Sequence, residues 1–421
     1  MHRMHWREFL MSRSHTIVIG GGAAGLMAAY RAADLGCRVT LLEKMAQTGR
    51  KIGISGKGRC NLTNTAELTD FLGRFGRNGR FLRQCFQQFF NRELIEFFES
   101  RNLPLVTERG GRVFPQSGRA LDVVKLLNSL MEEKKVAVRK NSPVSALIVR
   151  ESRLWGIVSN GKTTECDNVI LATGGKSYPR TGSSGDGYTL AENVGHTIVA
   201  PRPGLVPLTS DTPGVQRMAG LDLRNVLVRL YIDGKRKDQL FGELSFTGFG
   251  LTGPVILTLS SQIVDAIDTG SKVSLGLDLK PALDVEKLDN RLIRDLTRRR
   301  GEEITSILRG LLPQQMIPTC LEACGLHPHI DTTVFSAKMR KRLVQWLKDF
   351  RIDINGYRSF DEAIITAGGV NLKEIDPRTM ESKLVHHLFI AGELLDLHGD
   401  TGGYNLQAAF STGWVAGSSV Y

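Results

Sequence analysis

Gly20, Gly22 and Gly25 stand in the order G-x-G-x-x-G, and Glu43 follows Gly25 by 18 residues. Residues of these types at this spacing recognise a dinucleotide. Gly20 permits a tight turn, Gly22 lets backbone approach a pyrophosphate, and Gly25 lets a helix and a strand pack closely. A carboxylate at Glu43 can accept hydrogen bonds from an adenosine ribose. The triplet alone is a weak signal, because an ordinary α/β unit can carry a glycine turn. Here the flanking elements are in register with it. Residues 16–19 are a β-branched apolar strand, and Leu26, Ala29, Tyr30 and Ala33 mark a helix that Gly36 closes. A second apolar strand, 39–42, ends at the acid. The helix N-terminus offers free N–H groups and a partial positive charge to phosphates.

A second constellation lies near the C-terminus. Residues 388–392 read as a buried strand ending in Glu393, followed by Asp396, His398, Gly399, Asp400, the glycines 402 and 403, Tyr404, Asn405 and a small-residue helix through Gly417. An apolar strand, an acid and a glycine turn opening a final helix form the usual second half of an FAD site. The acid binds ribityl hydroxyls, and the helix N-terminus near Asn405 and Leu406 stabilises negative charge at flavin N1/O2. The alternative is a second, independent glycine turn. Between the two halves, residues 47–64 alternate glycines with basic and small polar residues. That composition predicts an extended loop close to a ligand and no regular helix or central strand. Residues 169–175, an apolar strand running into Gly174 and Gly175, should end beside the first glycine turn.

Two residues can supply a proton. Cys60 lies in the glycine loop, and the alternative for it is a packing thiol. His398 lies in the C-terminal loop, and its alternative is a hydrogen bond that fixes that loop. Arg74, Arg77, Arg80 and Arg83 recur at steps of three. Arg80 and Arg83 share a face if that stretch is helical, and a solvated basic face is the plain reading of the four.

The charge distribution gives those arginines a context. The formal net charge is +12. Residues 1–200 carry 29 Lys+Arg against 17 Asp+Glu, which is the whole excess, and residues 50–83 hold eight basic residues and two acids. A dinucleotide offers only two phosphate charges, so the surplus suggests a second, polyanionic partner; the alternative is a soluble basic surface. A chain of 421 residues predicts two or three domains. With 41% hydrophobic and 23% charged residues it reads as globular. No apolar run reaches the ~18–20 residues of a membrane span. The six cysteines form neither a CxxC nor a metal spacing, which suits buried thiols in a reducing cytoplasm. The first fifteen residues do not resemble a secretory signal; they read as a short arm or as the product of a start before Met11.

The remaining chain supplies scaffolding. Residues 84–100 predict one helix with Phe86, Phe89, Phe90, Leu94, Phe97 and Phe98 as a core stripe rather than a base-stacking platform. A helix over 120–133 and strands near 136–140, 144–150 and 154–158 follow. Prolines 201, 203, 207 and 213 mark a boundary, after which 201–282 turns β-rich, with a hairpin at Asp233-Gly234 and a helix at 255–267 entered by Pro254. Residues 284–350 are helical, and their clusters Arg298–Arg300 and Arg340–Arg342 are nearly balanced by acids. From 357 the α/β style returns.

The motifs RKIGISGKGRCNLTN (50–64), ATGGKSYPRTGSSGDGY (172–188), SFTGFGLTGP (245–254) and AGELLDLHGDTGGYNLQAAFSTG (391–413) resemble those of a group of bacterial FAD flavoproteins. That group includes 3-dehydro-bile-acid Δ4,6-reductases, aminoacetone oxidases and a 23S ribosomal RNA dihydrouridine synthase. The resemblance covers about residues 14–418. It implies an α/β fold: a Rossmann-type, glutathione-reductase-like FAD-binding domain (12–200 and 357–421), an inserted β-barrel domain (201–283 and 351–356) and a nested helical module (284–350). The expected FAD contacts are Gly20, Gly22, Ala24, Gly25, Glu43, Lys44, Arg50, Lys51, Ser55, Gly58, Cys60, Val144, Thr173, Gly174, Gly392, Glu393, Gly403, Asn405 and Leu406. Cys60 and His398 are the candidate acids, and Arg74, Arg77, Arg80 and Arg83 the candidate substrate contacts. No second G-x-G-x-x-G follows a strand, so NAD(P)H would be a transient reductant. The leading reaction is hydride reduction of an activated C=C bond with an acid protonating the neighbouring carbon. The leading substrate is uridine in 23S rRNA. The alternatives are a small enone or steroid-like molecule, amine oxidation of the aminoacetone type, and a non-catalytic flavin-bearing RNA-binding factor.

Overall fold

The structure, a computed structural model, describes residues 14–420. The N-terminal arm and the question of Met1 or Met11 as the start lie outside the described residues, apart from Ser14 and His15. The chain divides into two compact units, the first running to Arg202 and resuming at Ile365, the second spanning Pro203–Ile364.

The first unit is built on a five-stranded parallel sheet. Its strand order is Leu388–Ile390, Asn168–Leu171, β1 (His15–Ile19), β2 (Arg38–Leu42) and Ala137–Arg139. Parallel neighbours require crossovers, and helix α1 (Ala23–Asp34) supplies the one between β1 and β2. The four strands other than the exposed edge strand Ala137–Arg139 are largely apolar because both faces are covered. Residues Ile17, Val18, Leu41, Val169, Ile170, Leu388 and Ile390 are all buried in one core with α1 and the C-terminal helix, Tyr404–Ser419. Fully burying each such side chain is worth roughly 1.5–3 kcal/mol. The C-terminal helix packs on α1 through glycines: a Cβ at Gly413 would lie 2.2 Å from the Ala24 carbonyl oxygen, and one at Gly417 2.5 Å from that of Ala28.

The phenylalanine stripe is core, but its helix is two helices. Arg83–Gln88 and Asn91–Glu99 are separated at Phe89, whose backbone is extended (φ −154°, ψ 98°). The break lets Phe89 stack on Trp414 (4.3 Å between ring centroids), and the Glu93 carboxylate caps the second helix by accepting from the Phe90 N–H at 3.0 Å. Aromatic packing overrides a helical periodicity that was otherwise continuous.

The second unit carries a sheet in the order Phe350–Ile354, Val273–Asp278, Asp222–Ile232, Lys235–Thr247, Gly250–Thr252, Leu208–Thr209 and Gly356–Tyr357. The first and last of these strands are separated only by Asn355, so the sheet closes on itself as a small barrel. Helices Val285–Arg298, Ile304–Arg309, Ile317–Cys324 and Ala337–Lys348 follow one another. Their buried residues Leu288, Leu292, Ile304, Leu308, Leu343 and Leu347 belong to the same core as Leu275, Leu277 and Ile352 of the barrel. Ile317–Cys324 falls within the stretch 284–350 expected to be helical, with Pro318 in its first turn.

Candidate functional site

The glycine turn joins β1 to α1. A Cβ on Gly20 would lie 2.5 Å from the Ala172 carbonyl oxygen, and one on Gly25 only 1.8 Å from that of Gly20. The strand ending at Leu171 therefore does finish beside the turn, in parallel register with β1. Gly22 is different: nothing lies within 4 Å of the space its Cβ would fill. Gly22 is also the N-cap of α1, has extended backbone (φ −86°, ψ −166°) and brings no side-chain cap to the helix. Helix N–H donors without a capping side chain, next to open space, fit a pyrophosphate. Glu43 closes the far side. Its Oε2 accepts from the Gly21 N–H (2.8 Å) and its Oε1 from the Met45 N–H (2.7 Å), which leaves lone pairs on both oxygens for sugar hydroxyls. Lys44 pairs with Asp186 at 2.8 Å. Val144 begins the antiparallel strand Val144–Arg150, two residues beyond Ser142, whose N–H donates to the Glu43 carbonyl (2.9 Å).

The glycine-rich stretch after Glu43 is not the continuous loop its composition predicted. It opens a helix, α2 (Arg50–Gly58), after Gly49 in the left-handed region (φ 69°). Helical geometry fails at Ser55, Gly56 and Lys57, the last two left-handed. Glycines at both ends free the chain to enter and leave a helical turn whose one buried residue is Ile52. Arg50 is exposed at its first turn, and Gly58 follows the break with φ 82°. Thr63 and Asn64 then form a short strand against Arg112–Pro115.

Lys51 on α2 meets Glu393. Its Nζ donates to Glu393 Oε2 (2.6 Å) and to Ser177 Oγ (2.5 Å). Glu393 Oε1 accepts from the Thr366 N–H (2.7 Å) and the Ser177 hydroxyl (3.0 Å). A carboxylate has about four lone-pair sites, and three are used, so a flavin ribityl hydroxyl would find one, on Oε2. Nothing local in the sequence marks Ser177 or Thr366, because their roles arise from a loop and a strand brought together across more than 150 residues. Thr173 lies against Gly20 and Gly187, its Oγ1 buried without a hydrogen-bond partner among the described residues, and Gly174 is left-handed (φ 77°).

The C-terminal helix starts at a left-handed Gly403 (φ 100°), where a Cβ would sit 2.3 Å from the Thr63 carbonyl oxygen. The Asn405 amide is spent on its own loop: Oδ1 accepts from the Gly399 N–H (2.8 Å), and Nδ2 donates to the carbonyls of Gly399 (2.8 Å) and Asp400 (3.1 Å). Its backbone and that of Leu406 remain at the helix N-terminus. Asn64 Nδ2 donates to the Gly402 carbonyl (3.1 Å), so the Gly58–Asn64 stretch lies against this helix start.

Cys60 is fully buried in a left-handed conformation (φ 59°). Burial pushes its thiol up to about 12, against a smaller opposing effect of a hydrogen bond from Ser55. His398 is half-buried near Asp396, whose carboxyl burial holds above its usual range while His398, Asn78, Arg202 and Arg77 pull it down. Asn78 Nδ2 donates to the Asp396 carbonyl (2.8 Å) and carboxylate (3.1 Å). Asn78 belongs to a 3-10 helix, Gly76–Leu82, that carries Arg77 and Arg80 and runs directly into Arg83. Arg74 stands apart from those three, paired with Asp400 at 3.4 Å.

The pattern described as the HI0933-like protein Rossmann domain matches residues 14–419. The 3-dehydro-bile acid delta(4,6)-reductase of Clostridium scindens is 32% identical over 405 residues, 96% of this chain and 98% of its own. The ribosomal RNA dihydrouridine synthase of Escherichia coli is 30% identical over 411 residues, 97% of this chain and 98% of its own. Among solved structures, the Mycobacterium smegmatis Sdh1 complex shares the fold, with a TM-score of 0.51 at 19% identity over 97% of this chain and 68% of that one.

Proposed function

The chain belongs to the HI0933-like family of FAD-binding Rossmann proteins and is an FAD-dependent oxidoreductase, and we propose that it uses NAD(P)H to reduce an activated C=C bond, that of uridine in ribosomal RNA. When bound, FAD supplies the hydride for such a bond. The glycine turn 20–25 and Glu43 hold the adenosine diphosphate half, with Lys44 and Arg50 alongside. Lys51, Glu393 and the start of the C-terminal helix hold the flavin half. The protein must also supply a proton to the neighbouring carbon. His398 is the proposed donor, because it is half-exposed in the loop that opens the flavin helix. A thiol held at about 12, as at Cys60, stays protonated but is a weak acid at neutral pH.

The observation that carries the substrate reading is the exposed arginine row on the 3-10 helix that Asn78 ties to Asp396, two residues before His398. A polyanion on that row would lie next to the flavin loop. The Clostridium scindens relative supports a second reading, reduction of a small enone. Two variants test the assignment. His398→Ala should still oxidise NAD(P)H while reducing substrate at least tenfold more slowly, whereas Cys60→Ala should keep substrate turnover. Normal turnover by His398→Ala would remove it as the acid. Mass spectrometry of rRNA from a strain lacking the protein should show a missing dihydrouridine; unchanged rRNA would favour the small enone.

A further inference from the structure

We propose that Arg77, Arg80 and Arg83 grip successive phosphates of a single nucleic acid strand, one arginine to one phosphate. This rests on the nucleic acid reading of the site and adds its register. A 3-10 helix has three residues per turn, so side chains three apart eclipse one another. Burial follows that period through the 3-10 helix: Gly79 and Leu82 are buried, Asn78 and Phe81 are half-buried, and Arg77 and Arg80 are exposed; Arg83, also exposed, is the first residue of the α-helix that continues it. The buried row is fixed from below, since a Cβ on Gly79 would lie 2.1 Å from the Leu72 carbonyl oxygen. At roughly 2 Å rise per residue, arginines three apart are roughly 6 Å apart along the axis, comparable to adjacent phosphates of one strand. An α-helix would instead turn such a row around its surface.

None of the three arginines forms an ion pair within the described residues, in contrast to Arg74, which Asp400 holds. In the half-buried row Asn78 is spent on Asp396, while Phe81 packs on the core and leaves part of its ring exposed beside the arginines. A basic row beside an aromatic ring is how single strands are held without reading sequence. Asp400, paired with Arg74, and Asp396, near Arg77, lie on the loop side; phosphates on the exposed face of the row would leave a base edge free to turn toward that loop. A single strand leaves that base unstacked, which chemistry on a base requires.

The test uses FAD-loaded protein and fluorescence anisotropy with a short uridine-rich single-stranded RNA, a single-stranded DNA of matching sequence and the corresponding RNA duplex, each across a salt series. Arg77→Gln, Arg80→Gln and Arg83→Gln should each reduce the salt slope by about 0.7, and the triple variant by about 2. Phe81→Leu should weaken single-strand binding roughly tenfold with the slope intact. Arg74→Gln should leave the slope as it is. RNA and DNA strands should lose slope alike, because the arginines read phosphate. The proposal is overturned if the triple variant keeps the parent's slope, if the duplex binds as tightly as the strand, or if the parent binds neither strand. Reduction is scored separately: loss of slope in the triple variant of a parent that does not reduce RNA upholds the grip and defeats the proposed reaction. An unchanged slope in a parent that does reduce RNA defeats the grip alone.

Discussion

Gly22 and Gly25 lie three residues apart and have opposite reasons to be glycine, which makes them separable by experiment. A Cβ at Gly22 has no described protein atom within 4 Å, and the backbone there is one any residue adopts. Gly22→Val should therefore change stability by less than about 1 kcal/mol while putting a side chain where the pyrophosphate belongs. The purified variant should be folded and colourless; full flavin occupancy would remove the assignment. Gly25→Ala drives a Cβ into the Gly20 carbonyl oxygen at 1.8 Å and should cost about 3 kcal/mol or more in denaturant titration. An unchanged midpoint would mean the turn is looser than described. Both glycines and Glu43 were legible in the sequence because local backbone geometry demands them. Asn405 was legible as a helix-start residue, but not that its amide clamps Gly399 and Asp400, since a side chain's choice among nearby acceptors is settled only by the fold of the loop.

At the scale of elements, the 47–64 stretch teaches the most. Its glycines correctly signalled unusual backbone, seen at Gly49, Gly56, Lys57, Gly58 and Cys60, all left-handed. They did not forbid the helical turn between Gly49 and Ser55, which delivers Lys51 to Glu393. The same limit applies to the arginines at steps of three: the spacing was visible, but a run of seven 3-10 residues is uncommon, and only packing of Gly79 on Leu72 selects it. The Lys51–Glu393 contact, about three-quarters shielded on each side chain, should act as a strut among α2, the Ser177 loop and Thr366. Lys51→Met leaves the carboxylate without its cation and should destabilise by about 1–3 kcal/mol, less than for a fully buried pair. In a double-mutant cycle, adding Glu393→Gln should cost less than the sum of the single changes, with a coupling of about 0.5–3 kcal/mol. Strict additivity would contradict the strut.

For the molecule as a whole, pH offers a test of how the first unit is held. The imidazoles of His15, His196 and His387 are all kept below the usual histidine value, by burial first in each case, with Arg38 adding to it at His15 and Arg153 at His387, and with Glu374 opposing it at His196. The folded state thus binds fewer protons than the unfolded chain, which protonates near ~6.5. Stability from these groups is fully present above that value and is lost as pH falls from it through the lower folded-state values. Tm should decline between pH ~7.5 and ~6, above the ordinary carboxylate range; a flat or rising Tm would contradict this. The division into two units was foreshadowed by the prolines near 201–213 and the change from βαβ to alternating patterns, whereas the common core of barrel and helices was not, because which apolar stripes meet is a property of the closed sheet. The uneven charge, all of it in residues 1–200, is the whole-chain feature that points to a polyanionic substrate. The most direct measurement mixes anaerobically reduced FAD-loaded protein with a uridine-containing single-stranded RNA in one vessel and with a conjugated enone in another, following flavin reoxidation and product mass. The RNA should reoxidise the flavin, with one uridine gaining two hydrogens. Reoxidation by the enone alone, with RNA mass unchanged, would contradict it.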